Sequence, residues 1–340
     1  VVDIQKFPAP HASGLPGDVI IIETDGRDEW MERGELHDIT AMDPSKLRNM
    51  IRNAGIVGLG GAAFPTYIKL NPVGHEIDTL ILNGAECEPY ISSDDMLMRE
   101  HPRDIVAGAA IMRHAVNAAR VVVAIEDNKP QAIAAMSALA DDYDWLQVQP
   151  IPSIYPTGGE RQLIKVLTGR DVPSNGLPLD LDLVVSNVAT AAAVHHAIDL
   201  QRPLISRVIT VTGAGVKSPR NIEAYIGTPM ADLIELAGGY TDDADRLIMG
   251  GPMMGITLKT DATPVVKASN CLLVQTPADH DHERVTRPCI RCGECVKVCP
   301  VRLLPQQLYW FSQSRNHEGL QQHHLFDCIE CGCCAVVCPS

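Results

Sequence analysis

The residues with the clearest chemistry are eight cysteines near the end of the sequence, which form two copies of one spacing. The copies are Cys289-x2-Cys292-x2-Cys295-x3-Cys299-Pro300 and Cys328-x2-Cys331-x2-Cys334-x3-Cys338-Pro339. Three thiolates two residues apart hold one face of a cubane cluster, and the fourth, before proline, ligates the other cluster when two copies occur together. We therefore predict two [4Fe-4S] clusters, with the ligand sets Cys289, Cys292, Cys295, Cys338 and Cys328, Cys331, Cys334, Cys299.

Zinc and disulfides are the alternative explanations for these cysteines. Zinc sites use four ligands, usually as two separated pairs, and disulfides require an oxidising compartment. The spacing favours clusters, and hence a protein that carries electrons. The remaining cysteines are Cys87, Cys271 and Cys333. Cys87 is predicted to be a packed loop thiol and Cys333 a bystander, and the cysteine usage fits a reducing cytosol.

Composition and charge exclude several classes of function. The chain has 340 residues, enough for two or three domains, and a formal net charge of −14. It has no basic stripe for nucleic acid, no run of 18 apolar residues and no visible signal peptide. Because it starts without methionine and stops one residue after Cys-Pro, we expect the native protein to be longer.

A second informative stretch is a glycine-rich loop, which runs from Gly55 through Gly58-Leu-Gly60-Gly61 to Phe64-Pro65-Thr66 and is followed by Lys69. Clustered glycines let the backbone approach a ligand and turn its N–H groups toward a phosphate. The loop loosely matches a dinucleotide fingerprint, but that motif follows a strand, whereas this loop follows a predicted helix that starts near Asp43. A loop without a ligand therefore stays an alternative.

Strands and helices alternate in the next part of the sequence, which predicts a parallel sheet covered by helices. Ligands of such sheets bind at the carboxyl ends of the strands. Polar loops around Asn83, Gly158 and Asn187 occupy that position, and we expect them to converge. The predicted strands are 79–82, 121–125, 146–151 and 183–185, and the predicted helices are 103–118, 130–140, 160–167 and one after Thr190.

Four domains follow from these patterns. Strands at 208–212 and 221–225 with a helix at 231–237 indicate a small β-grasp module, and the apolar period of 303–311 indicates helices between the cysteine motifs. The stretch Asp279–His282 is interpreted as a solvated linker. The predicted domains are 1–40, the tail of a barrel-sandwich-like domain; 41–204, Rossmann-like; 205–282, β-grasp and linker; and 283–340, a two-cluster α-helical ferredoxin.

The motifs together resemble a known family. Gly58-Leu-Gly60-Gly61-Ala-Ala-Phe64-Pro65-Thr66, Asn83-Gly-Ala-Glu86-Cys-Glu88-Pro89 and the paired cysteine motifs resemble the C subunit of the Rnf complex. That complex is a membrane-associated NAD:ferredoxin oxidoreductase. More distantly, the chain is similar to the flavin-binding, NADH-oxidising subunit of respiratory complex I. The resemblance covers nearly the whole chain.

The resemblance also implies the residues that bind FMN and NAD(H). It puts Gly58, Gly60, Gly61 and Lys69 on the FMN phosphate loop, and Asn83, Glu86 and Glu88 on an acidic loop beside the flavin. Further loops contribute Gly158, Gly159, Glu160, Asn187 and Thr190. The complex I pattern has arginine where this chain has Leu59, aspartate at Ala85, serine at Cys87 and glutamate at Gly159. These departures predict altered flavin contacts and leave nicotinamide binding less secure than FMN binding.

The function implied is hydride exchange between NAD(H) and FMN, followed by one-electron transfer through both clusters to a partner. No protein side chain is needed as a general base. The implied partners are an iron–sulfur B subunit and integral membrane subunits that translocate Na+ or H+, at the cytoplasmic face of a bacterial inner membrane. Two alternatives stay open: a soluble cobalamin reductase of a bacterial microcompartment, and a redox-inactive scaffold subunit. The eight cysteines argue against the scaffold.

Overall fold

A computed structural model describes residues 1–8, 10, 15–32, 34, 38–279 and 287–340. The predicted linker Asp279–His282 and the domain boundary after it fall mostly outside these residues. The strands are β1 Asp3–Pro8, β2 Pro16–Ile21, β3 Thr79–Gly84, β4 Arg120–Glu126, β5 Leu146–Ile151, β6 Leu183–Asn187, β7 Ser206–Thr212, β8 Arg220–Tyr225, β9 Arg246–Met249, β10 Ile256–Thr257 and β11 Cys271–Gln275.

The α-helices are α1 Pro44–Asn53, α2 Thr66–Lys69, α3 Ser93–Glu100, α4 Pro102–Val116, α5 Pro130–Ala140, α6 Glu160–Thr168, α7 Val188–Ile198, α8 Met230–Leu236, α9 Glu294–Lys297, α10 Pro305–Gln313, α11 His317–Gln322 and α12 Cys333–Val336. Capping residues and prolines in the sequence determine where several of these helices begin. Asp43 caps α1 by accepting from the Ser45 N–H, and proline opens α1, α4, α5 and α10.

The predicted parallel sheet is confirmed. Its strand order is β5-β4-β3-β6, and every neighbouring pair is parallel. The central strand β3 is almost wholly buried, as its apolar run predicts. A large apolar core lies between the sheet, α1, α4 and α7, and a smaller one lies between the sheet and α6. The chain leaves each strand at the same edge, which therefore gathers the polar loops.

The β-grasp module has more strands than the two predicted. Its five strands have the order β10-β9-β11-β7-β8, and α8 covers an apolar core of its own. Strand β11 was not predicted from the sequence, and it pairs parallel with β7 and antiparallel with β9 at the centre of this sheet. Strand β11 is only five residues long, of which four are apolar, so its period carries little information.

The two ends of the chain are smaller units. At the N-terminal end, β1 and β2 pair as an antiparallel hairpin. Downstream of it, Asp28 accepts a hydrogen bond from the Tyr225 hydroxyl, and Trp30 lies under the Arg202 guanidinium. At the C-terminal end, α10 packs against α9 and α11, which confirms helices between the cysteine motifs. In the described part of the chain, no helix has the length and apolarity needed to cross a bilayer.

The close approach of α4 and α7 yields a testable prediction about Gly108. A Cβ at Gly108 would lie 1.7 Å from the Ala191 carbonyl oxygen, so the helices would have to separate. We expect Gly108→Ala to lower the free energy of unfolding by about 2 kcal/mol through overpacking, despite alanine's better helix propensity. Urea denaturation measures it. Ala110→Leu, on the exposed face of the same helix, serves as the control, and an equal loss in both variants would contradict the prediction.

Candidate functional site

The three predicted loops meet at the carboxyl edge of the parallel sheet. Asn83 at the end of β3 pairs in register with Asn187 at the end of β6. The Asn83 side-chain amide donates to the Gly158 carbonyl at 2.8 Å, and its oxygen accepts from the Ala85 N–H at 3.0 Å. The Asn187 amide reaches the Asn83 carbonyl at 3.5 Å. These two asparagines therefore join the loops that follow three different strands.

The glycine-rich loop lies across the start of α7. The Leu59 N–H donates to the Thr190 hydroxyl at 2.9 Å, and Gly58 closes the loop by donating to the Phe64 carbonyl at 2.8 Å. A Cβ on Gly60 would be 3.5 Å from the Asn187 side chain, and Gly61 has φ +121°, which L side chains rarely adopt. The loop therefore approaches Asn187 closely by virtue of its glycines.

The residues of this edge fit the phosphate end of a flavin nucleotide. Within the described chain, the backbone N–H groups of Gly60, Gly61, Ala62 and Ala63 have no hydrogen-bond partner. Consecutive free N–H groups form the kind of concavity that binds anions. Lys69 lies one helical turn beyond and forms an ion pair with Glu160. Two predicted site residues, Lys69 and Glu160, are therefore in direct contact. The Glu160 carboxylate balances part of the positive charge of Lys69.

The two predicted acidic residues are held by protein groups. Glu86 accepts from the Ser93 hydroxyl and from the Asp94 and Asp95 N–H groups, and so caps α3. Burial, together with the charge of Asp94, raises the pKa of Glu86. Glu88 accepts from the N–H groups of Met253 at 3.2 Å and Met254 at 2.7 Å, and burial raises its pKa too. Glu88 therefore fastens the β-grasp module to the sheet edge.

Gly158 and Gly159 pack tightly against their surroundings. A Cβ on Gly158 would lie 2.7 Å from the Ala85 carbonyl oxygen and 2.9 Å from the Cys87 sulfur. The Gly158 N–H donates to that sulfur at 3.3 Å, and burial raises the pKa of Cys87 to about 11. Cys87 is thus a neutral, packed thiol at neutral pH, as expected for a loop residue without a histidine partner.

The first predicted cluster ligand set lines one cavity of about 320 Å³, which contains Cys289, Cys292, Cys295 and Cys338. The ring of Trp310 and the amide of Gln306 complete its walls, and the Cys295 thiol donates to the Gln306 oxygen at 3.5 Å. Cys338 comes from the second motif and the other three from the first. The structure therefore brings together the residues that the crossed pairing rule selects.

The second ligand set also gathers around one point. Burial and the neighbouring thiols Cys331, Cys328 and Cys299 raise the pKa of Cys334, so the four lie within electrostatic range. Helix α9, just before Cys299, packs against α12, which carries Cys334. In the described chain, no three His, Cys, Asp or Glu side chains are arranged to hold a single metal ion. A cubane differs from such an ion, since its four thiolates surround a larger core.

Tyr155 connects the flavin edge to the second cysteine set, a role that was not predicted from the sequence. Its hydroxyl donates to the Cys331 carbonyl at 2.7 Å. Ser174 makes a second link by donating to the Asp327 carboxylate at 2.7 Å, and a Cβ on Gly332 would lie 3.0 Å from the Met253 carbonyl oxygen. A tyrosine three residues before a glycine pair has no distinctive pattern, so only the fold reveals the contact.

Asp94 and Arg207 are two further residues that the sequence did not indicate. The Asp94 carboxylate accepts from the Asn187 amide at 2.6 Å. The buried Arg207 guanidinium donates to the carbonyls of Leu59, at 2.9 Å, and Lys267. A larger cavity, of about 800 Å³, is lined by both residues and lies between α3, α7, β7 and β8. It borders the sheet edge and does not contain the glycine loop's free N–H groups.

Comparison with known proteins identifies three domains in the same order as the fold. Residues 51–196 match the Nuo51 FMN-binding domain, 208–257 the SLBB domain and 288–340 the 4Fe-4S dicluster domain. A crystal structure of an NAD+-reducing [NiFe]-hydrogenase in the H2-reduced state has the same fold, with a TM-score of 0.58 at 22% identity. That match covers 76% of this chain and 49% of the hydrogenase chain. The chain therefore has the architecture of a flavin and iron–sulfur electron-transfer protein.

Curated relatives make the family specific. The C subunit of the ion-translocating oxidoreductase complex of Pseudomonas aeruginosa is 49% identical over 96% of this chain, and those of Edwardsiella ictaluri and Yersinia enterocolitica are 49% and 46% identical over 95% and 96%. The chain belongs to this family of C subunits, as the motifs predicted. It spans 42%, 40% and 47% of the lengths of these relatives, so less than half of each.

Two adjacent cysteines test the ligand set of the second cluster. We expect Cys334→Ser to remove about half of the iron and sulfide and one of two cluster signals in low-temperature EPR, because Cys334 is a predicted ligand. Cys333→Ser is the matched control in the same helical turn and should keep both signals. Loss of a cluster in the Cys333 variant, with none in the Cys334 variant, would reverse the assignment.

Proposed function

We propose that this chain is the electron-input part of a membrane-associated NADH:ferredoxin-type oxidoreductase. It takes a hydride from NADH at the sheet edge and sends single electrons through two [4Fe-4S] clusters to a partner. The observation that carries this proposal is the hydrogen bond between Tyr155 and Cys331, which joins the flavin loops to the second cysteine set. Two cofactor sites that share a hydrogen bond across their loops suit electron transfer.

The chain's own groups supply binding and orientation. Bound FMN supplies the chemistry that converts a two-electron donor into single electrons. The N–H groups of Gly60 to Ala63 and the Lys69 ammonium would hold the phosphate of FMN, and Asn83 and Asn187 fix the loops that would surround its ring. Gly158 keeps the facing loop close to Ala85. These groups need no covalent chemistry of their own.

The order of the sites suggests a route for the electrons. The second cysteine set contacts the flavin loops through Tyr155, whereas the first set lines the cavity beside Trp310. We assign the second cluster to the flavin side and the first to the partner side. The proposed partners are the iron–sulfur B subunit and integral membrane subunits of an ion-translocating complex at the cytoplasmic face of the inner membrane. The translocated ion is Na+ or H+.

The first test is anaerobic cofactor analysis of the purified protein, with NADH as the only reductant. We expect iron and sulfide for two cubanes, about one acid-released FMN per chain, and loss of both flavin and cluster absorbance on adding NADH. Iron without flavin, or an unchanged spectrum with NADH, would leave a one-electron relay or a scaffold.

Tyr155→Phe tests the proposed route. The variant loses one hydrogen bond, worth about 1 kcal/mol, at the contact between the flavin loops and the second cluster. We expect NADH to bleach the flavin at the normal rate. The rate of cluster bleaching should fall about five-fold or more, because about 1 kcal/mol corresponds to a rate ratio of that size. Stopped-flow absorbance separates the two phases. Tyr143→Phe, on the surface beside Trp145, is the control, and equal slowing in both variants would refute the route.

A further inference from the structure

The cavity of about 800 Å³ is large enough to hold many waters, and its lining includes none of the predicted flavin-binding residues or cluster cysteines. One wall comes from α3 and α7 beside the sheet edge, and the other from β7 and β8 of the SLBB domain. Its outer rim includes the exposed side chains of Glu100, His101 and Glu223. It therefore connects bulk solvent to the interior of the flavin domain.

Asp94 is the point at which this cavity meets the flavin edge. Its carboxyl lies deep in the protein, yet it lines the cavity and keeps some exposure there. One carboxylate oxygen accepts from the amide of Asn187, the residue that also approaches Gly60. A single side chain thus touches the water-accessible space on one side and a predicted flavin residue on the other.

The groups that face Asp94 leave it able to hold a proton. Burial raises the pKa of Asp94, while the Asn187 hydrogen bond and the Arg207 charge oppose that rise. Glu86 faces it from the loop after β3, and the Asp94 charge raises the pKa of Glu86 in turn. Asp104 on α4, paired with His196 on α7, lies along the same cavity. Titratable groups therefore continue from Asp94 toward the rim.

The proposed function requires a proton route, and this inference rests on that function. Oxidation of NADH by one-electron acceptors follows NADH → NAD+ + H+ + 2e−. The clusters take the two electrons and nothing else, so the proton must leave the sheet edge separately. If no titratable group connected the buried sheet edge to water, the proton would stay there.

We propose that Asp94 carries this proton from the flavin edge to the water of the cavity. An Asp94 carboxylate oxygen accepts the proton released at the edge and gives it to water, which returns Asp94 to its charged form beside Arg207. The electrons leave by another route, through the Tyr155 contact and the second cluster. Protons and electrons therefore leave the sheet edge through different residues.

The experiment compares proton release with flavin and cluster bleaching in the cofactor-loaded protein. NADH and a pH-indicator dye are mixed anaerobically in weak buffer and followed by stopped flow. We expect Asp94→Asn to keep flavin content and bleaching but to slow proton appearance about 100-fold, a typical effect of losing a positioned proton-transfer group. Glu223→Gln removes the same charge from the same cavity and should release protons at the normal rate. Ala193→Leu narrows the cavity without changing charge and should slow release.

Two results would overturn the proposal. One is proton release at the normal rate in a folded Asp94→Asn protein whose flavin is bleached. The other comes from infrared titration of the oxidised protein, which needs no NADH: one component of the protonated-carboxyl band should titrate in the wild type and be missing in Asp94→Asn, while the components of Glu86 and Glu88 remain. An identical band in both proteins refutes Asp94 as the proton holder. Failure of NADH bleaching in the wild type with the band present refutes the proposed substrate instead.

Discussion

The in-register pairing of β3 and β6 is the constraint on which the rest of the site depends. It sets Asn83 beside Asn187, and each asparagine then reaches one more element, the Gly158 loop or the start of α7. If β6 slipped by one residue relative to β3, the two asparagine side chains would lie on opposite faces of the sheet. The near-total burial of β3 prevents such a slip, because a misregistered strand would leave apolar side chains in water. The polar site is therefore held in place by an apolar strand.

Carboxylates join the domains as well as the cofactor loops. Glu88 receives two N–H groups from the SLBB domain, and a Cβ on Gly251 would lie 2.3 Å from its oxygen. Arg207 makes a contact in the opposite direction, since this side chain on β7 of the β-grasp module donates to the carbonyl of Leu59 in the glycine-rich loop. The β-grasp module thus contacts the glycine-rich loop, and the boundary between the two domains is part of the site.

The sequence predicted the elements that repeat or alternate, and it failed where the information is not local. Helix α5 and strand β5 were predicted to the residue, because their periods are clean and proline or turn residues bound them. The crossed cysteine sets were predicted from spacing alone, and the structure places the first set around one cavity. In contrast, the pairing of β11 with β7 and the contacts of Tyr155, Asp94 and Arg207 depend on residues more than fifty positions apart in sequence. No local pattern encodes such contacts, so only the folded chain shows them.

Trp310 in the wall of the first cysteine cavity has an optical consequence. The chain contains three tryptophans, and the other two lie far from this cavity in sequence and fold, Trp30 under Arg202 and Trp145 under Arg113. An iron–sulfur chromophore that absorbs where indole emits would quench the emission of Trp310, which lies in the wall of the first cysteine cavity. The intrinsic emission of the protein therefore contains a component that reports cluster assembly.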